Sequence, residues 1–136
     1  MPEIYMLDTD ICGYIIKNRT PQLKSCFLKH ENDTICISIM TYAELLYGLE
    51  KKHSEKLTRD VSAFVSLVRV IDWNYAAAQQ YAKIRHHLTS RGQVISELDM
   101  QIAAAAIAIN ALLVTNNKKH FSVIPGLALA DWIQEE

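Results

Sequence analysis

Short apolar runs alternate along this chain with longer segments whose apolar residues recur at helical spacing, and few architectures accommodate that alternation. A buried run followed by an amphipathic helix, repeated, is the pattern of an α/β domain built on a mainly parallel sheet. Ile4 to Leu7 is expected to form the first strand, with the Asp8-Thr9-Asp10 cluster starting a helix over Ile11 to Asn18. Pro21 opens a second helix to about His30, and the β-branched Thr34 to Ser38 forms a second strand. Helix follows from about Ile39 to Lys52, and Leu57, Val61, Phe64 and Val68 mark one face of another. Arg69 to Ile71 is a third strand. Asn74 caps a long helix with Ala77, Tyr81, Ile84 and Leu88 on its apolar face, closed by Gly92. Ser96 starts a helix to about Asn110, a strand follows at Ala111 to Thr115, and a short edge strand lies near Leu127. The expectation is α/β, with a sheet of four or five strands flanked by helices, in a single domain over residues 1–136.

Composition removes several classes. With half of its residues hydrophobic and only 4 Gly and 3 Pro among 136, the chain is neither disordered nor fibrous. Asp99, Gln101 and Asn110 interrupt the most apolar stretch, Leu98 to Val114, so it falls short of the roughly 18 apolar residues that a membrane span requires. The start of the chain, Met1 to Asp8, has no basic segment leading an apolar one, so no signal peptide is expected and the location is cytoplasmic. Cys12, Cys26 and Cys36 are odd in number, show no CxxC spacing and read as reduced core thiols. Adjacent His86 and His87 diverge by about 100° on a helix, and no HExxH pair occurs, so a zinc site is not expected. The 14 Lys and Arg against 15 Asp and Glu give a formal charge of −1, which argues against strong non-specific binding to nucleic acid by the chain as a whole.

Three acids stand at strand ends or in the opening turns of helices. Asp8 directly follows the first strand, where parallel sheets place their ligand crevice; it equally suits a helix cap. Glu44 lies beside the apolar stripe of the helix after the second strand, although Thr41-Tyr42-Ala43-Glu44 also fits a capping box. Asp99 opens the most apolar helix, and Ser96-Glu97-Leu98-Asp99 has capping spacing too. Each acid alone has a structural explanation, but their shared placement lets all three converge on one end of the sheet. Converging carboxylates repel unless neutralised, and a hard divalent cation with oxygen ligands, Mg2+ or Mn2+, is the usual solution. Such an ion acidifies a bound water and stabilises charge on a phosphoryl group, which suits in-line phosphodiester hydrolysis. Asn117, after the fourth strand, offers a further polar group or simply turns the chain together with Asn116.

In order, LDTDICGYIIK, ISIMTYAELLYGLEK, IRHHLTSRGQVISELDMQIAAAAIA and LLVTNNKKHFSVIPGLALADW resemble the motifs of PIN-domain ribonucleases, and more narrowly the VapC-type toxins of bacterial toxin–antitoxin pairs. The resemblance runs from about Ile4 to Trp132. It implies a three-layer sandwich with an acidic metal site at the carboxyl ends of the strands, to which Asp8, Glu44 and Asp99 correspond as catalytic and metal-holding acids. Asn117 stands where many relatives carry a fourth acid, so the number of metal positions is open. Thr9 and Thr115 match small polar positions that hold a ligand water. The resemblance further implies an RNA substrate, often a tRNA cut in a single-stranded loop, and a VapB-type antitoxin that alone contacts operator DNA.

On this reading water attacks phosphorus in line and leaves a 5′-phosphate and a 3′-hydroxyl. Phosphate contacts are expected from Lys118 and Lys119, next to His120, beside the crevice; the groups Lys51, Lys52, Lys56, Arg59 and Arg85, His86, His87, Arg91 are the other basic clusters. Leu45, Leu46, Tyr47 and Leu49 exceed what one helix face can bury, and part of that set suits an antitoxin groove or a homodimer surface. Two rival readings use the same residues. Asp8-Thr9-Asp10 is similar to the D-x-D motif of haloacid-dehalogenase-type phosphatases, with Asp8 as nucleophile, though the later paired acids of that family are missing. Alternatively the acids are only caps, and the chain is a non-catalytic interaction module.

Overall fold

The structure, a computed structural model, describes residues 3–18 and 21–133. The five strands are β1 (Ile4–Leu7), β2 (Thr34–Ser38), β3 (Arg69–Ile71), β4 (Leu112–Val114) and β5 (Ala128–Ala130). All neighbours pair in parallel, in the order β3-β2-β1-β4-β5. The helices among the described residues are α1 (Thr9–Lys17), α2 (Pro21–Lys29), α3 (Ile39–Lys52), α4 (Glu55–Val65), α5 (Tyr75–Ser90), α6 (Glu97–Ala108) and α7 (Lys118–Phe121).

Strand side chains alternate between two cores, which makes the molecule three layers deep. Met6, Cys36 and Leu113 pack with Ile84 and Leu88 of α5 and with the buried run Ile102 to Ala106 of α6. Leu7, Ile35, Ile37 and Val114 pack on the other side with Ile11, Leu23, Phe27, Phe64 and Trp132. The expected α/β sandwich is therefore observed, with every expected strand present. All three cysteines are buried and free.

Local chemistry explains the boundaries. Asn74 Oδ1 accepts from the Ala77 amide at 3.2 Å to begin α5, and beyond its end Gly92 takes φ +65° while the Gln93 amide closes on the Leu88 carbonyl at 2.9 Å. Helix α4 stops at Val65, earlier than its apolar spacing predicts. Val68 lies past the helix, still packed on the same core. The four-residue helix α7 has no period to read and is not anticipated by the sequence pattern. No described helix is long and apolar enough to cross a membrane.

The strand order positions the site. β2 and β3 build outward on one side of β1, and β4 and β5 on the other, so the connections diverge between β1 and β4. A parallel sheet places its ligand crevice at the carboxyl ends of the strands flanking such a switch point, here β1 and β4.

Candidate functional site

Asp8 and Thr115 leave β1 and β4 side by side at that crevice. The Asp8 amide still donates to the Val114 carbonyl at 3.0 Å, and the Thr115 amide to Ala130 at 3.0 Å, so strand pairing holds both backbones. Asp8 caps α1: its Oδ1 accepts from the Ile11 amide at 2.8 Å. The cap and the site reading thus coexist in one residue. Asp8 is 5% exposed, and burial pushes its pKa up to about 6. The Thr115 hydroxyl and the Ile11 amide pull it back, while the charges of Asp10 and Asp99 raise it further. That influence of Asp99 places the two carboxylates within electrostatic reach of each other.

Asp99 lies in the first turn of α6. Its amide donates to Ser96 Oγ at 3.1 Å, the forward half of a capping box. Its carboxylate does something else: Oδ2 meets His120 Nε2 at 2.9 Å. His120, expected only as a member of the basic cluster beside the crevice, is instead the partner of Asp99. A four-residue helix carries no periodicity that could have marked it.

The capping box expected at Thr41 and Glu44 does not form. β2 runs straight into α3, so Ser38 caps the helix by accepting from the Met40 amide at 3.1 Å, and Thr41 falls inside it. Fully buried there, Thr41 Oγ1 meets Thr9 Oγ1 at 3.2 Å and ties α3 to the start of α1. Glu44 follows one turn later, exposed on the flank of the site. Among the described residues no three His, Cys, Asp or Glu side chains form a ready-made metal group. The structure joins Asp99 to His120 and Thr115 to the Asn117 amide, sets Asp8 beside Thr115 and within electrostatic reach of Asp99, and leaves Glu44 exposed on α3.

Asn117 turns the chain. Its amide donates to Thr115 Oγ1 at 3.0 Å, and its carbonyl accepts from the His120 amide at 3.1 Å, while its side chain makes no capping bond. Lys118 and Lys119 are exposed on α7, next to His120. In the apolar set on α3, Leu45 packs against the core, whereas Leu46 and Tyr47 are 41% and 58% exposed.

Comparison with known proteins identifies the family. The PIN domain family model matches residues 5–127. Ribonuclease VapC2 of Rickettsia felis is 41% identical over 131 residues, covering 95% of this chain and 98% of that protein. The tRNA(fMet)-specific endonuclease VapC of Shigella flexneri is 36% identical over 129 residues, covering 94% and 97%. The crystal structure of VapBC2 from Rickettsia felis bound to a DNA fragment from their promoter superposes with a TM-score of 0.90 at 39% identity, covering 95% of this chain and 98% of that one. A PIN-model match over most of the chain, full-length relatives of this identity and an α/β sandwich with acids at its strand ends all agree: the chain belongs to the PIN-domain family, among the VapC ribonucleases.

Proposed function

We propose that this protein is the toxin of a toxin–antitoxin pair, a divalent-metal-dependent endoribonuclease that hydrolyses RNA, with a tRNA loop as its substrate class. The observation that supports the reading is a buried Asp8, 5% exposed at the end of β1, whose carboxylate feels the charge of the partly exposed Asp99. A buried carboxylate disfavoured in its charged form gains most from a nearby cation. The donors offered are oxygens, those of Asp8 and Asp99, with the exposed Glu44 of α3 as the third acid of the proposed set. Such a set fits Mg2+ or Mn2+. When bound, the ion supplies positive charge against the phosphoryl oxygens and acidifies water for in-line attack.

The chain's own residues do the rest. The Ile11 amide holds Asp8 Oδ1, the Thr115 hydroxyl favours the charged carboxylate, Thr9 lies beside it, and the exposed Asn117 side chain is available to orient water. Lys118 and Lys119 supply phosphate contacts at the rim. Because water is the nucleophile, the 2′-hydroxyl takes no part, and the products carry a 5′-phosphate and a 3′-hydroxyl. A VapB-type antitoxin and, through it, operator DNA are the partners that the related complex supports. A homodimer is proposed for the toxin, with exposed Leu46 and Tyr47 in its contact or in that with the antitoxin. The phosphatase alternative is not favoured, since the PIN match spans most of the chain.

Purified protein incubated with total RNA and Mg2+, followed by sequencing of new 5′ ends, tests the reading. Discrete 5′-phosphate ends absent with Asp8→Ala are expected; identical ends from both proteins would reject it.

A further inference from the structure

The two carboxylates are secured differently. Asp8 is fixed by burial, by the Ile11 amide and by the Thr115 hydroxyl. Asp99 stands on the first turn of α6 with its side chain 31% exposed, and the contact that orients its carboxylate is the one with His120. His120 itself has a firm mount. Its ring sits edge-on to Phe121 at 5.2 Å and 83°, and Phe121 is 2% exposed within the core cluster that also contains α6. Its backbone amide bonds to the Asn117 carbonyl, and the Asn117 amide to Thr115 Oγ1. A hydrogen-bonded segment, Thr115–Asn117–His120–Asp99, therefore ties the end of β4, beside Asp8, to the first turn of α6.

Resting on the metal-dependent reading above, we infer that His120 is a positioning residue: its Nε2–H donates to Asp99 Oδ2 and holds that carboxylate toward Asp8, so that the pair grips one cation. The bond occupies Oδ2 and leaves Oδ1 for the ion. Hydrogen-bond partners of ligating carboxylates ordinarily contribute a factor of about 10 to 100 in metal affinity. Lys118 and Lys119, exposed on the same helix, have no such geometry and should not share the effect.

The test is calorimetric titration of Mn2+ at pH 8, where exposed imidazoles are ordinarily neutral. Wild-type, Asp99→Asn, His120→Ala, His120→Gln and Lys119→Ala proteins are compared, with thermal melts alongside. His120→Ala is expected to weaken Mn2+ at least about tenfold. His120→Gln, whose amide Nε2 reaches as far as the imidazole Nε2, is expected to restore most of the loss, and Lys119→Ala to leave affinity unchanged. Wild-type heat unaffected by Asp99→Asn overturns the metal reading itself. Normal wild-type binding with unchanged or tighter binding by His120→Ala, or no rescue by glutamine, overturns the positioning role alone. A second measurement stands even if His120→Ala fails to fold. Long-range proton–nitrogen NMR of the wild type should show the His120 ring protonated at Nε2, and the Nδ1–H tautomer would overturn the inference.

Discussion

Burying a carboxylate for the sake of a cation carries a stability cost that is measurable when the cation is withheld. Asp8 rises from 3.8 to about 6 on folding, so the folded state holds its proton more tightly than the unfolded chain does. Its stabilising contribution is fully present below the unfolded value and is lost as pH climbs through the folded one. A shift of about two pH units corresponds to roughly 3 kcal/mol, an upper figure given the partial solvent access. Asp8→Asn removes the titration while keeping an excellent cap, since asparagine and aspartate are equivalent at that position. In EDTA the variant should therefore exceed the wild type by about 1 kcal/mol near pH 4.5 and by about 3 kcal/mol at pH 7.5. For a chain of this length the latter is about 10 °C in melting temperature. Urea unfolding across that pH range is the assay. A gap independent of pH, or a variant less stable at pH 7.5, would refute the burial argument. Saturating Mn2+ should then narrow the gap, because ligand at about 100 times its Kd adds about 2.7 kcal/mol to the wild type alone.

Other consequences are equally direct. Asp99→Asn should lower RNA cleavage by orders of magnitude at saturating Mg2+; full activity would remove Asp99 from the machinery. Thr115→Val deletes the hydroxyl that serves both Asp8 and the Asn117 amide, and should cost about 1–3 kcal/mol in metal-free denaturant melts, an isosteric change having little effect if those bonds are idle. Lys118→Ala combined with Lys119→Ala should weaken RNA binding and reduce the salt dependence of affinity by about one to two charges, read from binding at several ionic strengths. Gly92→Ala should destabilise by about 1 kcal/mol, because φ there is +65° with open space around it, so backbone strain alone sets the effect.

Much of the fold was legible because its signals are local. Apolar runs marked the strands, Asn74 and Ser96 marked helix starts, and Asp8 stood where a parallel sheet opens its crevice. The errors share a cause as well. Thr41 looked like a cap because the sequence does not show that β2 enters α3 without a loop; Ser38 takes the cap and frees Thr41 to meet Thr9. His120 was invisible as a site residue because a four-residue helix has no periodicity and because its partner Asp99 is brought to it only by the packing of α6 and α7 into one core. Glu44 illustrates the converse. Its motif was plain, yet the structure leaves it exposed on α3.

The pairing of β1 with β4 sets Tyr5 against Leu112, residues far apart along the chain. Contacts between such distant partners form slowly, since a long stretch of chain must be closed before they repay it. Asp8 cannot meet Thr115, nor the α7 segment reach Asp99, until that closure is complete. The site is thus assembled only after the central strands have paired, however early its first acid enters the chain.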